Sequence, residues 1–386
     1  MKKLNRDERF TIGGTLYIMI LMGINSQLIG TVVPHMRAEY GFSYEMSGYL
    51  MSANAAGTLV MSLIASYTAI FFGFKKAFCV QHALIIVGQV VVSVTGNPIL
   101  LLAGMALLGL GRGSTVNYSY QIVNDTSNSN AGVMGLANAF FAVGACIVPF
   151  LVLVCVNGLG NWRYASLGIA AATAIGIALS MRMKIGEADS KSSEEKRGGY
   201  AFFKLKEYWL LLVIVFFYLG SEVCVGGWVI THFMDTHEAS NQLASSMVTV
   251  FWATMLVGRL ISSFLANRMK ESSLMLFMSI GMVVFAALFV GVGSTGFAVA
   301  ATIGLGLFMS GFYGLALASG GHIFSEYKVA LGFVMTVGGI GAVTMPALVG
   351  IIAERHSIQV GLVVLAVNVT ALMVLTVFNA RLAKKH

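Results

Sequence analysis

Twelve long apolar runs, each ended by a short polar turn, organise this chain. They cover residues 10–33, 45–71, 77–95, 98–123, 132–156, 164–182, 208–234, 243–267, 273–293, 296–320, 329–353 and 357–380. An apolar helix needs about 20 residues to cross a bilayer core. A strand of a membrane barrel would instead show about ten residues of alternating character. Length and continuity therefore predict helices. The runs also repeat at one spacing. Leu59–Tyr67 (LVMSLIASY) reads again as Leu256–Phe264 (LVGRLISSF), an offset of 197. Gly135–Pro149, with Gly144-Ala145 inside, returns as Gly332–Pro346, with Gly341-Ala342 inside, at the same 197. Met22-Gly23…Gly30…Val32…His35 returns as Leu219-Gly220…Gly227…Val229…His232, again at 197. The expected fold is an all-α membrane protein of twelve transmembrane helices in two six-helix pseudo-repeats. The halves are 1–182 and 208–386, joined by a linker over 183–207, whose stretch Glu187–Gly199 is charged, Ser/Gly-rich and has little to bury.

Composition agrees with this pattern. The chain is 57% hydrophobic and 10% charged, against about 25% charged in soluble domains, so it lacks the polar groups to cover a water-facing surface. The 44 glycines against 4 prolines suit closely packed membrane helices; Gly109-Leu-Gly-Arg-Gly113 and Gly304-Leu-Gly306 resemble small-residue packing motifs. The four cysteines, Cys79, Cys146, Cys155 and Cys224, lie inside spans at wide spacing, which predicts packing residues and neither a metal site nor a disulfide framework.

The net charge of +8 could point to nucleic acid, but its distribution points to a membrane. Nineteen basic residues fall on one side: Lys2, Lys3, Arg6, Arg9, Lys75, Lys76, Arg182, Lys184, Lys191, Lys196, Arg197, Lys204, Lys206, Arg268, Lys270, Lys328, Arg381, Lys384 and Lys385. Arg37, Arg163 and Arg355 stand alone on the other. This bias places both termini and the linker in the cytoplasm and the chain in the cytoplasmic membrane as a multi-pass protein. Its expected partners are the lipid bilayer, whose anionic headgroups the basic face meets, and no nucleic acid. The first apolar run is too long for a cleavable signal.

Six spans, a linker and six spans of the same pattern resemble the major facilitator superfamily. That likeness implies parallel repeats, with a solute site near mid-membrane between them. Two segments resemble its fucose/glucose:cation symporter branch more narrowly: Phe251-Trp252 followed by Gly258-Arg259 and Asn267-Arg268 on span eight, and Tyr218-Leu-Gly-Ser-Glu222…Trp228 on span seven. Asn161-Trp162-Arg163 and the Gly332–Pro346 pattern are similar to the superfamily as a whole. Three departures stand out. The loop after span two, where the superfamily carries an acid, has Ile70, although Gly73, Lys75 and Lys76 remain. Span four (Gly109-Leu-Gly111-Arg112-Gly-Ser114-Thr-Val116-Asn117) lacks the branch's glutamate, and span one lacks an aspartate near Gly30. Proton coupling through those acids cannot be carried over.

A charge at mid-membrane depth is expensive and faces a cavity or a partner. Glu222 is near the middle of span seven, and the repeat sets it opposite Asn25 (222 − 25 = 197). The resemblance makes spans one and seven equivalent cavity-lining helices, so Glu222 is the candidate for proton or cation coupling and for substrate contact. A glutamate satisfied by neighbouring helix hydroxyls is the alternative. Arg112 shares a face of span four with Thr115 and Ser119, while Ser114, Asn117 and Gln121 occupy another. If Arg112 faces the cavity, the site binds a carboxylate or phosphate bidentately; if the other face does, the site reads hydroxyls. Both remain open at this point. Asn25, Gln27, Asn54 and Asn138 are further hydroxyl readers, or else interhelical hydrogen-bond partners. Trp252 and Trp228 could stack a sugar ring, and tryptophan is equally common at membrane interfaces. His82 and Gln89 read as packing contacts. Lys75, Lys76, Arg259 and Glu326 are gate or latch candidates, with Glu326 a partner for Arg259.

No phosphate-binding glycine loop, no His-Glu-x-x-His and no Cys/His cluster is present, so neither ATP-driven transport nor enzyme chemistry is supported and no cofactor is expected. The reading is a secondary active transporter of a small polar solute, acting as a monomer. By resemblance the solute is a sugar or sugar derivative moved with a proton or cation. An organic-anion or drug-like-compound transporter using Arg112 is the alternative, and a transporter-like sensor that binds without translocating is a third reading. The topology is open to a direct test. In a background lacking the native cysteines, single cysteines at Ser192 and Asn241 should label with an impermeant thiol reagent from opposite sides of the membrane. Labelling of both from outside the cell overturns the two-sixes arrangement.

Overall fold

The structure, a computed structural model, describes residues 5–127, 131–185, 200–266, 268–291 and 293–382. Most of the linker and Asn267 of the span-eight segment therefore lie outside the described residues, as does the side chain of Ile70. In chain order the helices are α1 (Arg6–Tyr40), α2 (Tyr44–Phe72), α3 (Phe74–Val94), α4 (Pro98–Thr126), α5 (Ala131–Leu159), α6 (Arg163–Arg182), α7 (Lys206–Thr236) and α8 (Asn241–Ala266). They continue with α9 (Glu271–Gly291), α10 (Thr295–Met309), α11 (Phe312–Ser319), α12 (Gly321–Glu326), α13 (Lys328–Arg355), α14 (Ile358–Gly361) and α15 (Val363–Leu382). Among the described residues twelve segments are long and apolar enough to span a membrane; α10 with α11 makes the tenth, and α14 with α15 the twelfth.

Local chemistry sets the ends. Asn97 caps α4 by accepting from the backbone N–H groups of Ile99 and Leu100 at 2.9 and 3.3 Å, and Pro98 opens the first turn, where its missing N–H does no harm. Gly73, at φ 77°, supplies the left-handed residue between α2 and α3.

The helices gather into two compact units, residues 1–40 with 53–193 and residues 41–52 with 194–386. Each is built around one pair of helices that touch backbone to backbone. In the first unit α1 meets α5, and a Cβ added at Gly23 or Gly144 would strike the carbonyl of Phe141 or Ile20 respectively. In the second unit α7 meets α13, with Gly220 and Gly341 in the same positions 197 residues on, against Met345 and the Phe216 carbonyl. The repeat is thus a repeat of close helix contacts, the packing that replaces hydrophobic attraction inside lipid. A third contact of this kind joins α2 to α4. Gly57 abuts the Ala106 carbonyl, Gly109 that of Asn54 and Gly113 that of Thr58. In the second unit the first turns of α2 lie on α13 and α7. The Ser52 hydroxyl donates to the Val343 carbonyl at 2.6 Å, and Glu354 accepts from the Tyr44 N–H at 2.7 Å.

Overpacking a close contact costs about 1–3 kcal/mol. Gly144→Ala should therefore lower the melting temperature of the detergent-purified protein, whereas Gly13→Ala, which has open space around it, should not. Equal melting temperatures for the two variants would show that the α1–α5 contact is not the tight one.

Candidate functional site

In the first unit the polar side chains near the middle of the bundle bond mainly to one another. Asn25 on α1 donates to the Leu21 carbonyl at 2.8 Å and accepts from Gln89 Nε2 of α3 at 2.8 Å. Gln89, which reads from sequence as a packing contact, is thus the partner that holds Asn25. Gln81 of α3 donates to the Ser114 hydroxyl at 2.6 Å and accepts from the Thr115 hydroxyl at 2.9 Å. Asn54 of α2 donates to the Met105 carbonyl of α4 at 3.1 Å, and Gln27 donates to the Ser26 hydroxyl at 3.2 Å. Asn138 on α5 accepts from the Tyr120 hydroxyl.

The faces of α4 differ from the sequence expectation. Ser114, Thr115 and Ser119 are all fully buried. Ser114 does not join the exposed Asn117 and Gln121, because α3 packs along that edge, with Gly111 against the Gln81 carbonyl and Ile85. Arg112 is the central residue of α4. It is half-buried, and its Nη2 donates to the Thr58 hydroxyl of α2 at 3.2 Å.

In the second unit Glu222 lies near the middle of α7, within electrostatic reach of Arg259 on α8 and of the Tyr218 hydroxyl one turn earlier. The Tyr218 hydroxyl donates to the Met309 carbonyl at 2.9 Å. Its ring stacks on Tyr313 at 5.8 Å and 18° and on Phe312 at 5.5 Å and 16°. The carboxyl is thus placed by an arginine and two tyrosines. Sequence reading named the arginine only as a gate and did not single out the tyrosines; the signal for Tyr218 was its spacing of one turn from Glu222. Trp252 of α8 is buried with its ring N–H unpartnered. Trp228 is fully buried too, its ring 6.5 Å from that of Tyr44.

The gate residues separate. Lys75 donates to the Met183 carbonyl, just past α6, at 3.0 Å, and Lys76 is exposed. In this loop, where Ile70 replaces an acid, the lysine reaches a helix end. Beside it Lys184 donates to Asp7 at 2.6 Å, and that hydrogen bond, with the opposite charge, holds the Lys184 ammonium above the ordinary lysine range. Arg259 is not paired with Glu326. It comes within electrostatic reach of Glu222, while Glu326 is exposed and interacts with its neighbour Tyr327, raising that phenol's pKa chiefly by accepting its hydrogen bond.

The sequence pattern of the Major Facilitator Superfamily matches residues 15–221 and again 210–385, once for each half. The chain belongs to this superfamily. Its fold and family are those of transporters, and it is a multi-pass membrane protein. It is 22% identical to "Bypass of stop codon protein 6" of Saccharomyces cerevisiae, over 89% of this chain and 77% of that one. It is 20% identical to a Helicobacter pylori protein provisionally named as a glucose/galactose transporter, over 89% of each chain. Among solved structures, a mutant of the nucleoside transporter NupG superposes with a TM-score of 0.81 at 15% identity, over 95% of this chain and 99% of that one. The sugar-transporter relative accords with the resemblance to the fucose/glucose branch.

Gln89 and Asn117 separate structural from uncommitted amides. Leaving a buried acceptor unpartnered costs about 1–3 kcal/mol. Gln89→Leu strips Asn25 of its donor and should lower the melting temperature by several degrees, while Asn117→Leu should leave it unchanged. The reverse order would show that the α1–α3 bond does not hold this unit together.

Proposed function

We propose that this chain is a secondary active transporter that moves a small hydroxylated solute, of the sugar class, by alternating access and draws on a proton or cation bound at Glu222. It sits in the cytoplasmic membrane, with both termini and residues 183–207 on the cytoplasmic side. This orientation follows from the nineteen basic residues that favour that face. The sugar class rests on the span-seven and span-eight segments and on the glucose/galactose relative.

The observation that carries the coupling is the placing of Glu222. A carboxyl in the middle of a span, with an arginine and a tyrosine hydroxyl within electrostatic reach, has two electrically different states. Ionised, it attracts Arg259 across a low-dielectric interior, where such forces are strong. Protonated, it releases Arg259 and can donate to a solute oxygen; bound to a metal cation, it releases Arg259 and remains an acceptor for a solute hydroxyl. Because Glu222 and Arg259 are on different helices, α7 and α8, the change of charge alters the force between them. That is the coupling a symporter needs: the ion shifts the equilibrium between conformations by binding one of them better.

Glu222→Gln keeps size and hydrogen bonding but removes the titratable proton. In proteoliposomes offered labelled D-glucose, L-fucose and D-glucuronate in turn, it should abolish accumulation, driven by an inward proton gradient, of whichever of them the wild type concentrates, while leaving exchange of internal for external solute largely intact. A variant that still concentrates sugar normally removes Glu222 from the coupling role. Absence of both uptake and exchange in the wild type, for every solute offered, rejects the transporter reading in favour of a sensor.

A further inference from the structure

We infer that Arg112 binds an anionic group of the transported solute, which makes that solute an acidic, hydroxylated molecule such as a sugar acid. This rests on the transporter reading and narrows its substrate class.

Arg112 occupies the centre of α4, the depth at which a charge is hardest to keep. A guanidinium has five N–H donors. Here one hydrogen bond is made, to the neutral Thr58 hydroxyl. Among the described residues no carboxylate lies within ion-pair distance of Arg112. The neighbouring polar groups are committed elsewhere: Asn54 to Met105, Thr115 to Gln81 and Gly111, Ser119 to the Thr115 carbonyl, and Asn25 to Leu21 and Gln89. Free donor capacity near the middle of α4 therefore lies with the Arg112 guanidinium and, five residues on, with the exposed Asn117 amide, a pairing that suits a solute carrying both an anionic group and hydroxyls.

The repeat makes the asymmetry plain. In the second unit an arginine of α8, Arg259, has Glu222 of α7 within electrostatic reach. The counterpart of Arg259 is Ser62 (259 − 62 = 197), one turn from the Thr58 that Arg112 bonds, so in both units a guanidinium lies at the equivalent stretch of the equivalent helix. The counterpart of Glu222 is Asn25, a neutral amide that faces α3. The first unit thus keeps the cation and lacks the counter-charge. A ligand that brings a carboxylate, sulfonate or phosphate would supply it, and a planar guanidinium held by one hydrogen bond still presents the fork that pairs with such groups bidentately.

The test uses the purified full-length chain in detergent. Melting temperatures would be measured with D-glucuronate, D-gluconate, methanesulfonate and inorganic phosphate, and with D-glucose, L-fucose and uridine as neutral solutes. At least one anion should stabilise the wild type, and no neutral solute should do so comparably. Calorimetry on that anion should show at least a hundredfold loss of affinity in Arg112→Gln and a smaller loss in Arg112→Lys, which keeps the charge but not the fork. Without ligand, Arg112→Gln should melt no lower than wild type, since it removes an uncompensated charge; a purely structural arginine would give a lower value. Stabilisation by neutral solutes alone, no stabilisation by any anion, or anion binding unchanged in Arg112→Gln overturns the inference. Uptake of a neutral sugar that survives Arg112→Gln does so too, while leaving the transporter reading intact.

Discussion

Hydrocarbon offers no hydrogen bonds, so every polar group inside a membrane protein must find its partner in the protein itself. Much of this structure follows from that constraint. The chain crosses the bilayer as helices because helices satisfy their own backbone. Many side-chain hydroxyls in the spans bond the carbonyl one turn back, as Thr15, Thr31, Thr173 and Thr302 do. The buried amides pair across helices, Gln89 with Asn25 and Gln81 with Ser114. Against this background an arginine with one neutral partner and a carboxyl at mid-span are exceptions, and exceptions to a constraint this costly are where solute and ion chemistry is to be sought.

Helix association needs a different explanation, since lipid is as apolar as leucine. It comes from close approach. Gly23 and Gly144 in one unit, and Gly220 and Gly341 in the other, bring two long helices near enough for backbone to touch backbone. Contacts of that kind are rigid, and they form the frame against which other groups can shift. Glu222, Arg259, Tyr218 and Tyr313 hang on that frame in the second unit from α7, α8 and α11. Arg112 and Thr58 hang on the α2–α4 contact in the first.

The two units therefore share a scaffold and differ in chemistry. One holds a carboxyl with an arginine in reach, and the other an arginine without a carboxyl. A duplicated unit begins with identical sites, and separate substitution in each copy is a direct route to one half suited to an ion and the other to a solute. The linker ends are tied down as well. Met183 packs on Gly14 and receives Lys75 at one end, while Phe202 is fully buried against Tyr208 and Tyr327 at the other.

The twelve spans, the duplication at 197 residues and the mid-span position of Glu222 and Arg112 could all be read along the chain, because hydropathy and repeat spacing are one-dimensional properties. The glycine pattern was legible too, although which helices it joined was not. What tertiary structure decided was partnership. Asn25 and Asn54 could be read as solute readers or as interhelical partners, and the fold places Gln89 and the Met105 carbonyl beside them. Arg259 looked like a latch for Glu326, and packing set it by Glu222 instead. Ser114 looked continuous with Asn117 and Gln121, and α3 covered it alone. The reason is the same each time. Whether a polar group is committed or free depends on what lies across the helix interface, and that neighbour is remote in sequence and fixed only when the helices pack.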